Sequence, residues 1–155
     1  MSAPSTADDA ATDAPLDARR PLPDAEDVSC EAGDAFGATP PVPYAARPNP
    51  LGSDETAVSA GGQTFGVRCA FCHGPEGKGD GPEGPTNPPP ANLTATRRDD
   101  AYLLWRISTG GRGDPFCSGM PAFSALLTER QRWELVAFVQ TRAPKTDGGA
   151  DASGE

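Results

Sequence analysis

The chain is poor in the residues that most often hold metals and cofactors. It has one histidine, His73, and one methionine beyond its first residue, Met120. A single histidine excludes any site within one molecule that needs two imidazoles. Long apolar runs are also missing. The longest are residues 101–105 and 135–139, far short of the ~18–20 needed to cross a bilayer. Residues 1–30 contain no apolar stretch of the kind found in a secretory signal, so none is read there. Basic residues are scarce as well: 13 Lys and Arg stand against 22 Asp and Glu, a net charge of −9. That balance argues against a nucleic-acid partner, whose phosphates demand a basic face.

What the chain has in abundance is glycine and proline, 18 of each in 155 residues. Such a composition predicts long irregular segments around one small domain. Residues 1–50 hold nine acids and three bases, residues 51–143 ten and nine, and residues 144–155 three and one. The acidity therefore lies at the ends. Residues 1–29 offer almost nothing to bury against an ordering cost of ~1–2 kcal/mol per residue. They are expected to be a disordered acidic tail, and residues 144–155 a disordered C-terminal tail. Residues 30–52 carry Phe36, Val42, Tyr44 and Leu51 among five prolines and are expected to form an extended arm on the domain of residues 53–143.

The most informative stretch is Cys69-Ala70-Phe71-Cys72-His73. Its C-x-x-C-H spacing is the attachment pattern of a c-type haem. Two thiols three positions apart each add to one vinyl group, and the next residue is held under the iron as an axial ligand. A redox dithiol needs no such histidine, and no βαβ pattern surrounds this one. A competing reading makes Cys69, Cys72, His73 and Cys117 a structural zinc site in an interaction module, although adjacent ligands fit awkwardly around one small ion. Once a haem is granted, its iron needs a second ligand or an open face, and Met120 is the only internal thioether. It sits between Gly119 and Pro121, which break helix on both sides, so a core methionine at helical spacing is the weaker reading.

Together, Cys69-Ala70-Phe71-Cys72-His73-Gly74 and Gly119-Met120-Pro121-Ala122-Phe123 resemble class I cytochromes c, the small mono-haem electron carriers. The resemblance covers about residues 53–142. It implies an all-α fold, three to four helices around one covalently attached haem, here with a long irregular N-terminal arm. It implies haem thioethers at Cys69 and Cys72 and iron ligation by His73 and Met120. It further implies a proline carbonyl, that of Pro89 or Pro90, receiving the ring N–H of His73. The first and last helices are implied to cross closely at Gly62, against Phe138. The segment 87–90 with Met120 is also similar to mono-haem cytochrome c subunits of alternative complex III.

Haem attachment in the bacterial relatives takes place outside the cytoplasm. The resemblance thus implies a periplasmic or extracytoplasmic location, with the export signal outside this sequence. In an oxidising compartment the two remaining cysteines, Cys30 and Cys117, invite a disulfide. Closing a loop of nearly ninety residues would contribute on the order of 4 kcal/mol in the chain-entropy model.

Local patterns place the helices. Ser53 is the expected N-cap of the first, with Asp54 and Glu55 in its first turn. Val58, Gly62, Phe65 and Cys69 share one of its faces. The Gly-rich loop 74–82 lacks the spacing of a phosphate-binding loop. A short helix is expected over residues 101–108, capped by Asp99 or Asp100 and stopped by Gly110-Gly111, with Tyr102 and Trp105 as aromatics available to the porphyrin. Thr128-Glu129-Arg130-Gln131 reads as a capping box opening the last helix. That helix is expected to end near Arg142, with Trp133, Val136, Ala137 and Phe138 inward.

The function expected is single-electron transfer in a respiratory chain, by a free carrier or a complex subunit rather than by an enzyme in its own right. Its partners would be a quinol-oxidising complex, a terminal oxidase or a dehydrogenase. The competing haem reading is an enzyme or sensor whose labile Met120 opens to peroxide, oxygen or nitric oxide.

Overall fold

The computed structural model describes residues 38–83, 86–112 and 116–145. Among them are four helices and no strand: α1 (Glu55–Arg68), α2 (Ala70–His73), α3 (Asp100–Thr109) and α4 (Glu129–Arg142). The architecture is all-α, as expected. The most extensive packing is between α1 and α4; α3 lies against α4, and α2 continues from the end of α1.

The two long helices, α1 and α4, begin where the sequence supplies a side-chain acceptor for their free amides. Asp54, not Ser53, is the N-cap of α1, and its carboxylate accepts from the Ala57 amide at 2.8 Å. A charged acceptor at a helix N-terminus also meets the positive end of the helix dipole, which a hydroxyl does less well. The capping box of α4 is present in full: Gln131 N donates to Thr128 Oγ1 at 3.2 Å, and Thr128 N donates to Gln131 Oε1 at 2.9 Å. α3 runs one residue further at each end than its apolar pattern suggested.

The buried face of α1 is Ala57, Gly61 and Phe65, at steps of four. Val58 and Gly62, on the expected face, are only half-buried. Gly61 makes the closest approach. A Cβ there would stand 2.5 Å from the Glu134 carbonyl carbon and 3.0 Å from the Phe138 Cβ, and closer still to the Glu134 oxygen. Gly62 lies under the Phe138 ring, whose Cε2 a Cβ would meet at 3.0 Å. The crossing of α1 and α4 thus rests on both glycines, with the tighter contact one residue earlier than the resemblance implied. Phe65 and Phe138 close it with ring centroids 5.1 Å apart. The interior is Phe65, Leu103, Leu104, Ile107, Phe123, Leu127, Trp133, Leu135, Val136, Phe138 and Val139.

The described part of the N-terminal arm is tied across α3 and α4. Asn49 donates its backbone N–H to Asp100 Oδ2 and its side-chain amide to the Trp133 carbonyl, both at 3.0 Å. Arg47 pairs with Glu129 and stacks 5.5 Å over Trp133. Tyr44 and Leu51 pack on the core, while Val42 is exposed. Gln140 of α4 fastens the start of α3 by donating to the Arg98 carbonyl and to Asp100 Oδ1, both at 2.7 Å. Phe36 and Cys30 lie outside the described residues.

Candidate functional site

The end of α1 and the whole of α2 present the three residues of the C-x-x-C-H motif. Cys69 ends α1, its N–H bonding the Phe65 carbonyl at 2.8 Å, and its own carbonyl then accepts from the amides of Cys72 and His73. The chain reverses at Gly74 and folds back over the motif. Gly79 N donates to the His73 carbonyl at 2.7 Å, Gly81 N to Cys72 and Glu83 N to Phe71, both at 3.1 Å. The backbone polar groups of the motif are thus consumed by its own loop, leaving its side chains to face something else.

His73 is half-buried. Its Nδ1 lies 3.0 Å from the Ala91 carbonyl oxygen. A carbonyl can only accept, so Nδ1 carries the proton and Nε2 keeps its lone pair. The acceptor is Ala91, not Pro89 or Pro90. The Pro90 carbonyl is turned instead against Gly79, where an added Cβ would meet it, so the first carbonyl able to face the imidazole is the next one along. Leu93 N, bonded to the Gly77 carbonyl at 2.7 Å, fixes this stretch against the loop. Burial lowers the His73 pKa; the Ala91 bond opposes this, and the positive charge of Arg106 reinforces it. The imidazole is therefore neutral near pH 7, the state that can bind a metal.

Cys69 and Cys72 carry free thiols, both half-buried. Burial, and then the neighbouring Cys72, pushes the Cys69 thiol up to about 12. It is a neutral group among apolar neighbours. Cys69, Ala70, Leu93, Tyr102 and Met120 are partly buried groups on the edge of one core, which suits a flat apolar ligand. The zinc reading does not survive. Among the described residues no three His, Cys, Asp or Glu come together as a metal site, and Cys117 is disulfide-bonded and so has no thiolate to give. The other half of the predicted pair, Cys30, lies outside the described residues.

Met120 lies beyond α3 on a segment held by its backbone. Gly110, φ +68°, ends α3 and packs directly on the backbone of Met120 and Pro121, where a side chain would collide. Gly111 N donates to the Met120 carbonyl at 2.9 Å and Ser118 N to the Gly111 carbonyl at 2.6 Å. Downstream, Phe123 N and Ser124 N bond the carbonyls of Ile107 and Ser108 at 3.0 and 3.1 Å.

The sequence did not announce Arg106. It stands one turn after Tyr102 on α3, donates to the Gly110 carbonyl at 2.6 Å, and lies 3.4 Å from the centroid of the buried Phe116 ring. Its charge acts on His73, and burial lowers its own pKa. Tyr102, Trp105 and Phe116 form an edge-to-face cluster with centroids 5.0–6.3 Å apart. The one legible hint was a cation four residues after an aromatic in an otherwise apolar helix.

A thioether-forming pair, an imidazole with one nitrogen free and a thioether on an anchored loop match the donor set of a c-type haem. No curated protein matches the sequence. Among solved structures, the chain is similar to the reducing HAO-like protein complex of Kuenenia stuttgartiensis, at 26% identity and TM-score 0.52. It covers there 61% of this chain and 47% of that one. It is also similar to cytochrome CL of the marine methylotroph Methylophaga aminisulfidivorans, at 23% identity and TM-score 0.48, over 61% and 58% of the two chains. The chain thus spans about half the length of these structures. The family described as cytochrome c oxidase, cbb3-type, subunit III matches residues 56–139, just over half of the chain. The chain belongs to that family: it is a mono-haem class I cytochrome c, whose cofactor is covalently attached haem c.

Proposed function

We propose that the protein passes single electrons through one haem c joined to Cys69 and Cys72 and ligated by His73 and Met120. The observation that carries this is the His73–Ala91 bond, which spends Nδ1 and leaves Nε2 as the only ring nitrogen able to ligate. Bound haem c would supply an iron that takes up and releases one electron. The protein's part is to hold that iron still. Ala91 orients the imidazole, and a carbonyl acceptor on the far nitrogen makes it a stronger ligand. Gly111 and Gly110 brace the Met120 backbone, whose thioether favours the reduced iron and raises the potential. With His73 and Met120 both committed to the iron, the haem would offer no open site to a substrate, which supports a carrier rather than an enzyme.

Electrons enter and leave beside the cysteines. Phe71, between them in sequence, is 57% exposed, and Val67, one turn earlier on α1, is 76% exposed. An apolar rim of this kind suits brief contact with a redox partner. The partners are proteins of a respiratory chain outside the cytoplasm: a quinol-oxidising complex, a terminal oxidase such as the family description names, or a dehydrogenase. No described helix is long and apolar enough to cross a membrane. In this reading residues 53–143 are the haem domain, residues 30–52 its arm, and residues 1–29 and 144–155 its acidic tails.

The test is an optical spectrum of the haem-loaded protein. Sulfur ligation predicts a weak far-red band in the oxidised form, absent from Met120→Ala, and a reduced spectrum unchanged by carbon monoxide. A parent that lacks the band, or binds carbon monoxide at once, refutes His/Met ligation and favours a sensor or enzyme.

A further inference from the structure

Between the C-x-x-C-H motif and the segment that bonds its histidine, the chain closes a short circuit made of backbone. Gly79 N donates to the His73 carbonyl at 2.7 Å. The Cα of Gly79 lies directly against the Pro90 carbonyl. An added Cβ would collide with that oxygen and stand 3.4 Å from the Ala91 carbonyl carbon. The Ala91 carbonyl then returns to His73 Nδ1 at 3.0 Å. Both ends of the circuit are His73, once through its backbone and once through its ring, and Gly79 is in the middle. Pro88, Pro89 and Pro90 have no N–H, so bonds donated by their own amides cannot place this segment. Ala91 is exposed, so packing of its side chain does not place its carbonyl either. The carbonyl is set by the Leu93 amide on the Gly77 carbonyl and by the seat of Pro90 on Gly79. Gly79 has φ +82°, a conformation that suits glycine and strains other residues.

We propose that Gly79 is a positioning residue for the iron: its bare Cα seats Pro90, which sets the reach of the Ala91 carbonyl to His73 Nδ1 and, through the imidazole, the reduction potential. This deepens the reading above and rests on His73 being the ligand. A carbonyl that accepts from Nδ1–H draws the proton away from the ring and makes Nε2 more basic. A more basic ligand favours the oxidised iron over the reduced one. Moving the carbonyl away weakens that preference, and the potential rises. Every link of the circuit except the imidazole is backbone, so no rotamer change can absorb an added atom at Gly79. Gly77 supplies the contrast. Its φ is +79°, so alanine there bears the same backbone strain. A Cβ on it would meet Leu93 Cβ at 3.5 Å and Cδ1 at 3.7 Å, an ordinary contact. Gly77→Ala and Gly79→Ala thus share their strain and differ in the collision with Pro90.

The test uses the haem-loaded protein with isotope-labelled histidine. His73 is the one histidine in the sequence, so a single ring Nδ1–H signal reports the Ala91 bond. NMR reads the solvent exchange of that proton, and a redox titration reads the potential. Gly79→Ala should exchange about tenfold faster than the parent. Its potential should rise by about threefold in the one-electron equilibrium constant, ~28 mV at about 59 mV per tenfold. Gly77→Ala should keep both parental values. General loosening of the loop would admit water, which favours the more charged iron and lowers the potential, so the sign separates positioning from structural support. A lower potential in Gly79→Ala, a parental value of either readout, or equal shifts in the two variants each overturn the proposal while His73 ligation stands. Should Gly79→Ala fail to retain haem, Pro90→Gly reads the same contact from its other side, because it frees the Pro90–Ala91 peptide to turn without adding an atom. It too should speed exchange and raise the potential, and parental values there overturn the proposal. A parent whose ring signals lack the shifts of an iron-bound imidazole overturns the ligation, and the positioning with it.

Discussion

Replacing Gly61 by alanine should destabilise the domain, although alanine is the better helix former. The two effects can be set against each other. In an exposed helix interior, Gly→Ala stabilises by about 1 kcal/mol. At Gly61 the new methyl would stand 2.5 Å from the Glu134 carbonyl carbon and 3.0 Å from the Phe138 Cβ, where carbon atoms rest at ~3.5–4.0 Å. The obstacle is the backbone of α4, which no rotamer change can move. α1 and α4 would have to separate by about 1 Å, loosening Phe65 against Phe138. Overpacking of this kind costs ~1–3 kcal/mol, and a rigid neighbour puts it at the upper end. After the gain in propensity, a net loss of about 2 kcal/mol remains, or roughly 8–16 °C in midpoint for a domain of this size. Gly66 is the internal control. It lies in the same helix, exposed, with nothing within 4 Å of an added Cβ, so Gly66→Ala should raise the midpoint by a few degrees. Thermal unfolding of the haem-loaded proteins, followed by far-ultraviolet circular dichroism, reads both. If Gly61→Ala melts at or above the parent, the close crossing of α1 and α4 at this residue is wrong.

Other perturbations have equally definite outcomes. Thr128→Ala should cost ~1 kcal/mol through loss of the α4 capping box, and a denaturant midpoint equal to the parent's would show that the box contributes nothing. Asn49→Ala removes the amide that the Trp133 carbonyl accepts beside its helical bond and should cost ~1 kcal/mol; limited proteolysis should then cut the arm before residue 53, and an unchanged pattern would contradict its role as a tie. Arg106→Gln removes a cation that acts on His73. The same field disfavours the more positive state of a nearby iron, so the reduction potential should fall, and a redox titration showing a rise would reverse the sign of the argument.

The elements that were legible in the sequence are those whose cause is local. The capping box spans four residues, and α4 begins where it says. The C-x-x-C-H spacing of Cys69, Cys72 and His73 is local too, and it alone carries the chemistry proposed for them. The first N-cap moved from Ser53 to Asp54 because two good capping residues stand side by side, and sequence does not rank them. The His73 acceptor moved to Ala91 because three successive prolines give no register for which carbonyl faces a ring 18 residues away. The close approach moved from Gly62 to Gly61 for a related reason: two adjacent glycines both permit contact, and the rotation of α1 against α4 decides which one meets backbone. Asn49 and Gln140 were not legible at all. Their partners lie in other elements, and only the packing of α3 on α4 brings them together.

The central claim is a haem joined to this polypeptide by two thioether bonds. Intact-mass measurement after denaturation and acid-acetone extraction tests it most directly. The parent should stay heavier than its polypeptide by one haem, and the Cys69→Ala, Cys72→Ala double variant should lose that mass to the solvent. A parent that weighs no more than the bare chain contradicts the account.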